Sequence, residues 1–302
     1  MSVTPAVGVI GTGAMGSGVV ASLCRAGFAT HARDIKPEAM AAAARLGATP
    51  HVSAAALARA VDVIIVLVVD AAQVAAVLFG PDGAAAALRP GAVVLLASTL
   101  DPDDVAGFAG KLAAQGTLCI DAPVSGGPRR ATEGTMTMMV AGSPDAMART
   151  ESVLAAISGK LFLVGTAPGT AAKFKIVNNL LAAVNLAAGA EALALATAAG
   201  LDPRLVVDVI NASSGGSWIF ADRMPRALEG DYAPRAAARI LAKDVGIAAT
   251  FAARHRVGVP FALAAQAAFQ DAIAAGCGDM DDAVVYACAQ RLLTGASTQP
   301  AE

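Results

Sequence analysis

The sequence predicts an α/β domain over residues 1–166, followed by an all-helical domain over residues 167–302. In the first half, short apolar runs alternate with helical patterns, which is typical of a parallel sheet covered by helices on both faces. From about Thr166 onward, helical patterns are separated by short connections rich in Gly, Pro and Ser. A chain of 302 residues is long enough for two domains with separate cores.

The first half contains seven segments with the length and apolar content of buried strands. Helical patterns fill most of the gaps between them. In a sheet of this kind, ligands bind beyond the carboxyl ends of the strands. The predicted strands are Val7–Ile10, Ala29–Arg33, Val63–Val68, Val93–Ala97, Leu118–Ala122, Met136–Ala141 and Lys160–Val164.

A glycine-rich loop, Gly11-Thr12-Gly13-Ala14-Met15-Gly16, lies between the first predicted strand and a helical pattern. In a G-x-G-x-x-G motif the first glycine permits a tight turn, and the second lets the backbone approach a pyrophosphate. The third allows close packing of helix on strand, and the helix N-terminus receives the phosphate charge. The loop therefore predicts a Rossmann-type dinucleotide-binding domain. A glycine-rich turn without a ligand is the alternative.

Asp34 ends the second predicted strand, about twenty residues after the glycines. A carboxylate there accepts hydrogen bonds from the ribose hydroxyls of NAD and repels the additional phosphate of NADP. We therefore expect NAD as the cofactor. Arg33 beside it would weaken that preference, so NADP remains possible.

The helical half opens with the run Lys175-Ile176-Val177-Asn178-Asn179. Residues three and four apart share a helix face, so Lys175, Asn178 and Asn179 point the same way. This grouping on an apolar helix predicts a lysine that transfers the substrate hydroxyl proton, with asparagines that hold the substrate. Lysine in water has a pKa of about 10.4, so a basic role at neutral pH requires burial or a nearby positive charge. A lysine that merely caps or covers the helix start is the alternative.

The bulk composition argues against several classes of function. A net charge of −2 and a pI of about 5.9 provide no electrostatic basis for binding nucleic acid or an anionic membrane. The apolar run over residues 61–69 is too short to span a membrane, and the segment 180–201 carries Asn185 and Glu191. The first residues lack a signal-peptide pattern and the four cysteines are scattered, so we expect a cytoplasmic protein.

The three histidines have no metal-ligand spacing, so no metal is expected. Apolar residues make up 56% of the chain but aromatic residues only 4%, which implies alanine-rich helices. Excess apolar helix surface often forms subunit contacts. We therefore expect a homodimer or homotetramer.

Taken together, the motifs resemble those of the β-hydroxyacid dehydrogenase family, which includes 3-hydroxyisobutyrate and 6-phosphogluconate dehydrogenases. The resemblance covers nearly the whole chain. It implies reversible hydride transfer between a short hydroxy acid and the nicotinamide of NAD, with a lysine as general acid and base. The runs that carry it are Gly11–Gly16, Asp121-Ala122-Pro123-Val124-Ser125-Gly126-Gly127, Lys175–Asn179 and Lys243-Asp244.

The residue patterns and the resemblance together assign expected roles. Lys175 is the expected general acid and base, and Asn179 is expected to bond the reacting oxygen or the lysine. Trp218 is equally suited to the substrate pocket and to core packing. A plain glycine turn is the alternative for Ser125, Gly126 and Gly127, and an ordinary surface ion pair is the alternative for Lys243 and Asp244. The expected cofactor-binding residues are Gly11, Thr12, Gly13, Ala14, Met15, Gly16, Asp34, Val68, Val69, Gln73, Thr99 and Lys243. The expected substrate-binding residues are Ser125, Gly126, Gly127, Asn178, Ser217 and Trp218.

The chain departs from the family pattern in two places. Val68 and Val69 stand where a Leu-Pro pair is usual, and Gln73 stands where an Asn is common. Arg129 and Arg130 follow the substrate-binding glycines, and the second stands where the family normally has a glycine. Two positive charges near a carboxylate-binding loop favour a polar, polyhydroxylated acid over a branched aliphatic one.

Within the family, the chain looks most like the branch that acts on L-threonate, so a C4 sugar acid is the expected substrate. The runs 211–218 and 231–235 contribute to this resemblance. 3-Hydroxyisobutyrate and tartronate semialdehyde are the alternatives, and the position of the oxidised carbon is left open. Other possible classes are an imine reductase, a decarboxylating sugar-phosphate dehydrogenase and a non-catalytic NAD(P)-binding scaffold protein. The lysine speaks against the first and the last of these.

Overall fold

The computed structural model describes residues 4–294, with side chains described as far as residue 291. The chain divides into two compact units, Met1–Lys175 and Ile176–Glu302. Unit 1 combines a sheet with helices, and the described part of unit 2 is helical apart from one isolated bridge between Ala237 and Asp281. The predicted fold class, a Rossmann-type domain followed by an all-helical domain, is confirmed.

Unit 1 is built on one nine-stranded sheet. Seven of its strands match the predicted ones to within two residues at each end, and the other two are too short to produce a periodic pattern. The strands are β1 Val7–Ile10, β2 Thr30–Arg33, β3 Thr49–Pro50, β4 Val63–Val66, β5 Val93–Leu96, β6 Leu118–Asp121, β7 Val124–Ser125, β8 Met136–Gly142 and β9 Ser158–Gly165. Their order is β3-β2-β1-β4-β5-β6-β8-β7, and β9 also pairs with β8.

The sheet is parallel from β3 to β6 but not throughout. Strand β8 runs antiparallel to β6 and β7 and parallel to β9, so the expectation of a parallel sheet is wrong at this edge. The connection over residues 126–135 is shorter than the dozen or so residues that a parallel crossover needs. Helices also no longer cover both faces of the sheet at β9, because Leu161, Phe162 and Leu163 of this strand are exposed.

Strand β1 shows why the centre of this sheet is apolar on both faces. Successive side chains of a strand point to opposite sides. Val7 and Val9 pack in one core with Val19 and Leu23, whereas Ile10 belongs to the core on the other side. The helices of unit 1 are α1 Ala14–Arg25, α2 Pro37–Arg45, α3 Ala54–Ala58, α4 Ala71–Phe79, α5 Pro102–Ala113, α6 Gly127–Glu133 and α7 Pro144–Ile157.

A 29-residue helix, α8 (Thr170–Ala198), begins in unit 1 and continues through unit 2. In unit 2, Phe220 packs against α8 at Gly189, where a Cβ would lie 2.5 Å from the ring. Glycine is therefore required there by close packing. The remaining helices are α9 Pro203–Asn211, α10 Trp218–Leu228, α11 Ala238–Arg254, α12 Pro260–Ala272 and α13 Val285–Thr294.

A buried ion network joins α10 to the segment that precedes α13. Arg223 Nε donates to Asp282 Oδ1 over 2.7 Å, and a guanidinium nitrogen of Arg226 lies 3.4 Å from Asp281 Oδ2. All four side chains are buried. Buried charges are tolerated when they are paired and hydrogen-bonded, as these four are within unit 2.

Among the described residues, helix α8 alone has the length and apolar composition of a membrane span, with a mean hydropathy of 1.6 over an 18-residue window. Core helices of folded domains meet the same criterion. Ala183, Leu186 and Leu193 of α8 are buried in the core of unit 2. The helix therefore provides no ground for assigning a membrane span.

Candidate active site

The glycine-rich loop connects β1 to α1, and its three glycines have different surroundings. Gly11 has a φ of +89°, and a Cβ there would lie 2.5 Å from the Leu67 carbonyl oxygen. A Cβ at Gly16 would overlap the carbonyl oxygen of Gly11, whereas a Cβ at Gly13 would meet no described atom within 4 Å. The fold itself therefore requires the first and third glycines. The second faces open space, as the approach of a pyrophosphate requires.

The first turn of α1 also fits a phosphate group. Ala14 and Met15 open the helix, and its first turn contains no acidic residue. The positive end of the helix dipole is thus not neutralised by a carboxylate of its own. Thr12, just before the turn, is buried.

Asp34 follows β2, and its carboxylate is held against the glycine loop. Oδ2 accepts the backbone N–H of Thr12 over 2.7 Å, and Oδ1 accepts the backbone N–H of Lys36 over 2.9 Å. A carboxylate has about four lone-pair positions, so the group can still accept hydrogen bonds from ribose hydroxyls. The structure thus brings the two predicted parts of a dinucleotide site together.

Four further predicted cofactor residues lie beyond the carboxyl ends of β4 and β5. The N–H of Val69 donates to Gln73 Oε1 over 3.0 Å, and Asp70 caps α4 by accepting the N–H of Gln73 over 2.8 Å. Val68 precedes this turn, and Thr99 follows β5. Strands β1, β4 and β5 are parallel neighbours, so these residues and the glycine loop all lie at the carboxyl ends of the strands.

The predicted carboxylate-binding run forms a turn between β7 and α6. Gly126 and Gly127 have φ values of +126° and +74°, which L side chains rarely adopt. The stem of Arg130, one turn along α6, lies over Gly126, where a Cβ would lie 2.6 Å from Arg130 Cδ. Arg129 is exposed and lies 3.8 Å from a carboxylate of the same helix. The structure therefore places Arg130, but not Arg129, over the loop.

Lys175 is buried, with 8% of its surface exposed, in the second turn of α8. Its Nζ donates to the carbonyl oxygen of Val124 over 2.7 Å. Val124 directly precedes Ser125 and the two glycines. Within unit 1, the structure therefore brings the predicted proton-transferring lysine to the predicted carboxylate-binding run.

Asn179 lies one turn further along α8, in unit 2. Its Nδ2 donates to Asp244 Oδ2 over 2.7 Å, and its Oδ1 accepts Nδ2 of Asn178 over 3.0 Å. Asp244 is 4% exposed, and its other oxygen accepts Nζ of Lys243 over 2.6 Å. Asp244 thus bridges Asn179 to the predicted cofactor lysine, and its burial excludes an ordinary surface ion pair.

Ser217 and Trp218 lie at the start of α10. The Ser217 hydroxyl accepts the N–H of Phe220 over 3.2 Å and caps the helix. Trp218 is 54% exposed, so the core-packing alternative is wrong for this side chain.

Asp121 at the end of β6 carried no site prediction of its own. Its Oδ2 accepts the backbone N–H groups of Gly169 and Ala172 over 2.8 and 2.9 Å. Burial raises the pKa of this carboxyl to about 6, against the opposing effect of the N–H groups at the start of α8. An acid at the end of an otherwise apolar strand was the available sequence signal. Asp244 and the Val124 carbonyl were likewise not predicted as site groups.

His31 on β2 and His51, which follows β3, pair with each other. His31 Nδ1 and His51 Nε2 lie 2.8 Å apart, and burial lowers the pKa of both imidazoles. Across residues 4–294, no cluster of three or more His, Cys, Asp or Glu side chains could hold a metal ion.

Both halves of the chain match models of dehydrogenase domains. Residues 6–165 match the NAD binding domain of 6-phosphogluconate dehydrogenase, and residues 169–289 match a model described as NAD-binding of NADP-dependent 3-hydroxyisobutyrate dehydrogenase. The L-threonate dehydrogenase of Cupriavidus necator is 47% identical over 279 residues, which are 92% of this chain and 94% of that protein. The L-threonate dehydrogenase of Escherichia coli K12 is 41% identical over 280 residues, 92% of this chain and 93% of that one.

A solved structure supports the same relationship. The crystal structure of a Salmonella typhimurium protein named 3-hydroxyisobutyrate dehydrogenase has a TM-score of 0.88 and 40% identity, and the match covers 93% of this chain and 99% of that one. These similarities extend over both units and confirm the resemblance seen in the motifs. The chain belongs to the β-hydroxyacid dehydrogenase family, whose members bind NAD(P) and act as dehydrogenases.

Proposed function

We propose that the protein is an NAD-dependent dehydrogenase of a short hydroxy acid, with L-threonate or a similar C4 sugar acid as its substrate. The observation that carries this proposal is the bond from Lys175 Nζ to the Val124 carbonyl. It brings a buried amine to the residue just before Ser125, Gly126 and Gly127. The 47% identity to an L-threonate dehydrogenase supports the choice of acid.

The cofactor would be held at the carboxyl ends of β1, β2, β4 and β5. The N–H groups around Gly13 at the start of α1 would bind the pyrophosphate, and Asp34 would accept the ribose hydroxyls and favour NAD over NADP. When bound, NAD accepts the hydride that leaves the carbinol carbon. Ala14, Met15, Val68, Val69, Gln73 and Thr99 would line this site, and Lys243 would lie near the nicotinamide end.

The hydroxyl proton has to leave as the carbonyl forms, and we assign this step to Lys175. As a neutral amine, Nζ takes the proton, and as an ammonium it returns the proton during reduction. One N–H of the group is committed to the Val124 carbonyl. That bond fixes the amine next to the run that would hold the substrate carboxylate, so the reacting hydroxyl of a bound substrate would come within its reach.

The substrate carboxylate would be bound by the Ser125 hydroxyl and the backbone N–H groups of Gly126 and Gly127, which side chains do not shield. The stem of Arg130 lies over this turn, and its guanidinium would add positive charge to the site. That charge favours a polyhydroxylated acid over 3-hydroxyisobutyrate, whose methyl branch offers nothing for a guanidinium to bond.

Asn179 would bond the reacting oxygen or the lysine. Its amide is oriented by Asp244 on one side and by Asn178 on the other, which leaves one N–H and one lone pair for the substrate. Asn178 would act as a more distant substrate contact. Ser217 and the exposed Trp218 would form a wall of the substrate site.

Buried Lys175 and its partners also discriminate between classes of function. Imine reductases often lack this lysine, and a scaffold protein without catalysis would be expected to lose it. A decarboxylating sugar-phosphate dehydrogenase needs a cluster of basic groups for the phosphate, and the sequence shows no such cluster. A dehydrogenase of simple hydroxy acids is therefore preferred.

We further propose an NAD-binding domain over residues 1–166, which also contributes Ser125, Gly126 and Gly127 to substrate binding. Residues 167–302 would form a helical substrate and oligomerisation domain, which also contributes Lys243 to cofactor binding, in a cytoplasmic homodimer or homotetramer. Val177, Leu181 and Leu195 form an exposed apolar series on α8. A groove of about 480 Å³, lined largely by alanines of α8, α12 and α13, lies within unit 2. Light scattering should give the mass of a dimer or tetramer, and Leu195→Glu should lower it.

The test is NAD and NADP reduction, followed by absorbance, over C3 to C6 hydroxy acids with Lys175→Met beside the wild type. We expect activity with NAD on L-threonate that the variant lacks. Strong turnover of 3-hydroxyisobutyrate with none of L-threonate would reject the proposed substrate. If no acid is oxidised although NAD still binds, the scaffold alternative would be favoured.

A further inference from the structure

Asp121 connects the strand β6 to the start of the helix that carries Lys175. Its Oδ2 accepts two backbone N–H groups, those of Gly169 and Ala172. These are N–H groups at a helix start, which have no acceptor within the helix. Asp121 therefore caps α8 from a distant part of the chain and fixes the first turn of this helix to the sheet.

The same short segment contacts α8 a second time. Three residues after Asp121, the Val124 carbonyl oxygen accepts a hydrogen bond from Lys175 Nζ. Pro123 between them limits the backbone freedom of the segment, and its carbonyl accepts the N–H of Met139 on β8 over 3.2 Å. The lysine is thus held by a rigid segment that is fastened to α8 at both ends.

The second oxygen of Asp121 is unusual. Oδ1 is buried and has no hydrogen-bond partner among the described residues. A fold that needed only a helix cap would be served by a serine or an asparagine. A buried carboxylate with an unsatisfied oxygen disfavours its own charge. Its presence calls for a function of the charge itself.

We propose that ionised Asp121 is a positioning residue for Lys175, and that proton uptake by Asp121 releases the start of α8 and moves Lys175 out of its catalytic position. The proposal rests on the proposed function, in which Lys175 transfers the proton. A protonated carboxyl is a weaker acceptor for the two N–H groups. A displacement of about 1 Å at Lys175 would then lower turnover by roughly 100-fold.

The pKa of Asp121, raised by burial to about 6, places this change within the working range of a cytoplasmic enzyme. The helix N–H groups oppose the rise but do not cancel it. The charge of Asp121 in turn adds to burial in raising the pKa of the Cys119 thiol, which therefore stays neutral. The start of α5 packs against Gly169, where a Cβ would lie 2.8 Å from the Pro102 carbonyl oxygen. The charged groups of the elements that pack here are therefore Lys175 on α8 and Asp101, Asp103 and Asp104 at the start of α5.

The experiment compares kcat/KM of the wild type and Asp121→Asn from pH 5 to pH 8, on the acid that the wild type oxidises best. The ratio of the two values is followed across this pH range. We expect a ratio of roughly 10 to 100 at pH 8, falling toward 1 below pH 6, with the affinity for NAD unchanged. Asp202→Asn, which alters the cap of α9 in unit 2, should keep a ratio near 1 throughout.

A ratio that stays constant with pH would show that Asp121 is only a structural cap, and a ratio of 1 at every pH would exclude any role. If Asp121→Asn does not fold, the backbone NMR shifts of Gly169 and Ala172 in the wild type provide the test. Their shared titration midpoint should lie near pH 6, and a midpoint below about pH 4.5 would overturn the proposal. Failure of the wild type on L-threonate concerns only the proposed function and is visible before any comparison.

Discussion

The Nζ of Lys175 donates a hydrogen bond to the carbonyl oxygen of Val124, over 2.7 Å and across 51 positions of the sequence. Val124 directly precedes Ser125 and the glycine turn. The bond therefore fixes the amine, on the first turns of α8, at the run that would hold the substrate carboxylate. A general acid and base has to be held in this way within reach of the reacting hydroxyl.

Replacing Lys175 by methionine should keep the fold and remove turnover. Methionine preserves the length of the side chain but cannot transfer a proton, so we expect kcat to fall by about 100-fold to 10,000-fold. NAD binding, measured by calorimetry, should be unchanged. Lys173→Met, at an exposed position of the same helix, is the matched control and should retain wild-type kcat. Comparable losses in both variants would argue against a catalytic role for Lys175.

Asp244→Asn should lower kcat/KM. An asparagine can still accept from Asn179, but it removes the charge that pairs with Lys243. Loss of the pair should disturb both neighbours, so we expect kcat/KM to drop about 10-fold to 100-fold and KM for NAD to rise. Asp208→Asn, at an exposed position of α9, serves as the control. An unchanged KM for NAD would separate Lys243 from the cofactor.

Asp34→Ser should shift the enzyme toward NADP. The hydroxyl can still accept the N–H of Thr12, whereas the charge that repels a 2′-phosphate is removed. We expect the ratio of kcat/KM for NAD to that for NADP to fall by about 10-fold or more, which corresponds to about 1.4 kcal/mol. Steady-state kinetics with both cofactors measures it. A ratio that does not change would show that Asp34 does not select the cofactor.

Gly13→Ala and Gly16→Ala should fail in different ways. A Cβ at Gly13 meets no described atom within 4 Å, so the variant should melt at the wild-type temperature but bind NAD poorly. A Cβ at Gly16 overlaps the backbone of Gly11, so that variant should melt well below the wild type. Thermal melting measures the stability of both proteins, and NAD titration measures their affinity for the cofactor. Normal NAD affinity in Gly13→Ala would contradict the assigned pyrophosphate site.

The stability of the protein should depend on pH through Asp121. Its pKa is raised by burial to about 6 in the folded state, from 3.8. The folded state therefore binds the proton more tightly than the unfolded state, and the stabilisation present below pH 3.8 is lost as pH rises through 6. The loss corresponds to about 3 kcal/mol at neutral pH.

Asp121→Asn cannot undergo this loss. The melting temperature of the variant relative to the wild type should therefore rise by roughly 5 °C between pH 4.5 and pH 7.5. Asp282, whose pKa burial also raises to about 6, titrates in both proteins and cancels in the difference. A difference that does not vary with pH would place the pKa of Asp121 near its ordinary value.

Much of the architecture could be predicted from the sequence because it depends on residues that are close together in the chain. Seven strands follow from short apolar runs, and the glycine loop and the grouping of Lys175, Asn178 and Asn179 follow from spacings of two, three or four residues. Such local patterns report which parts of an element are apolar and which residues share a helix face. They also show where a glycine opens a turn, so the fold class and the family could be predicted without a structure.

Only the tertiary structure decided which groups meet across long separations. The partner of Asn179 is Asp244, 65 residues away in the sequence. The partners of Asp121 lie about 50 residues away, at the start of α8. The reversal of β8 depends on the geometry of a short connection, and the exposure of Trp218 depends on how unit 2 packs. Local periodicity determines what each element can present, whereas close packing of the whole fold determines which buried groups find a partner and which, like Oδ1 of Asp121, do not.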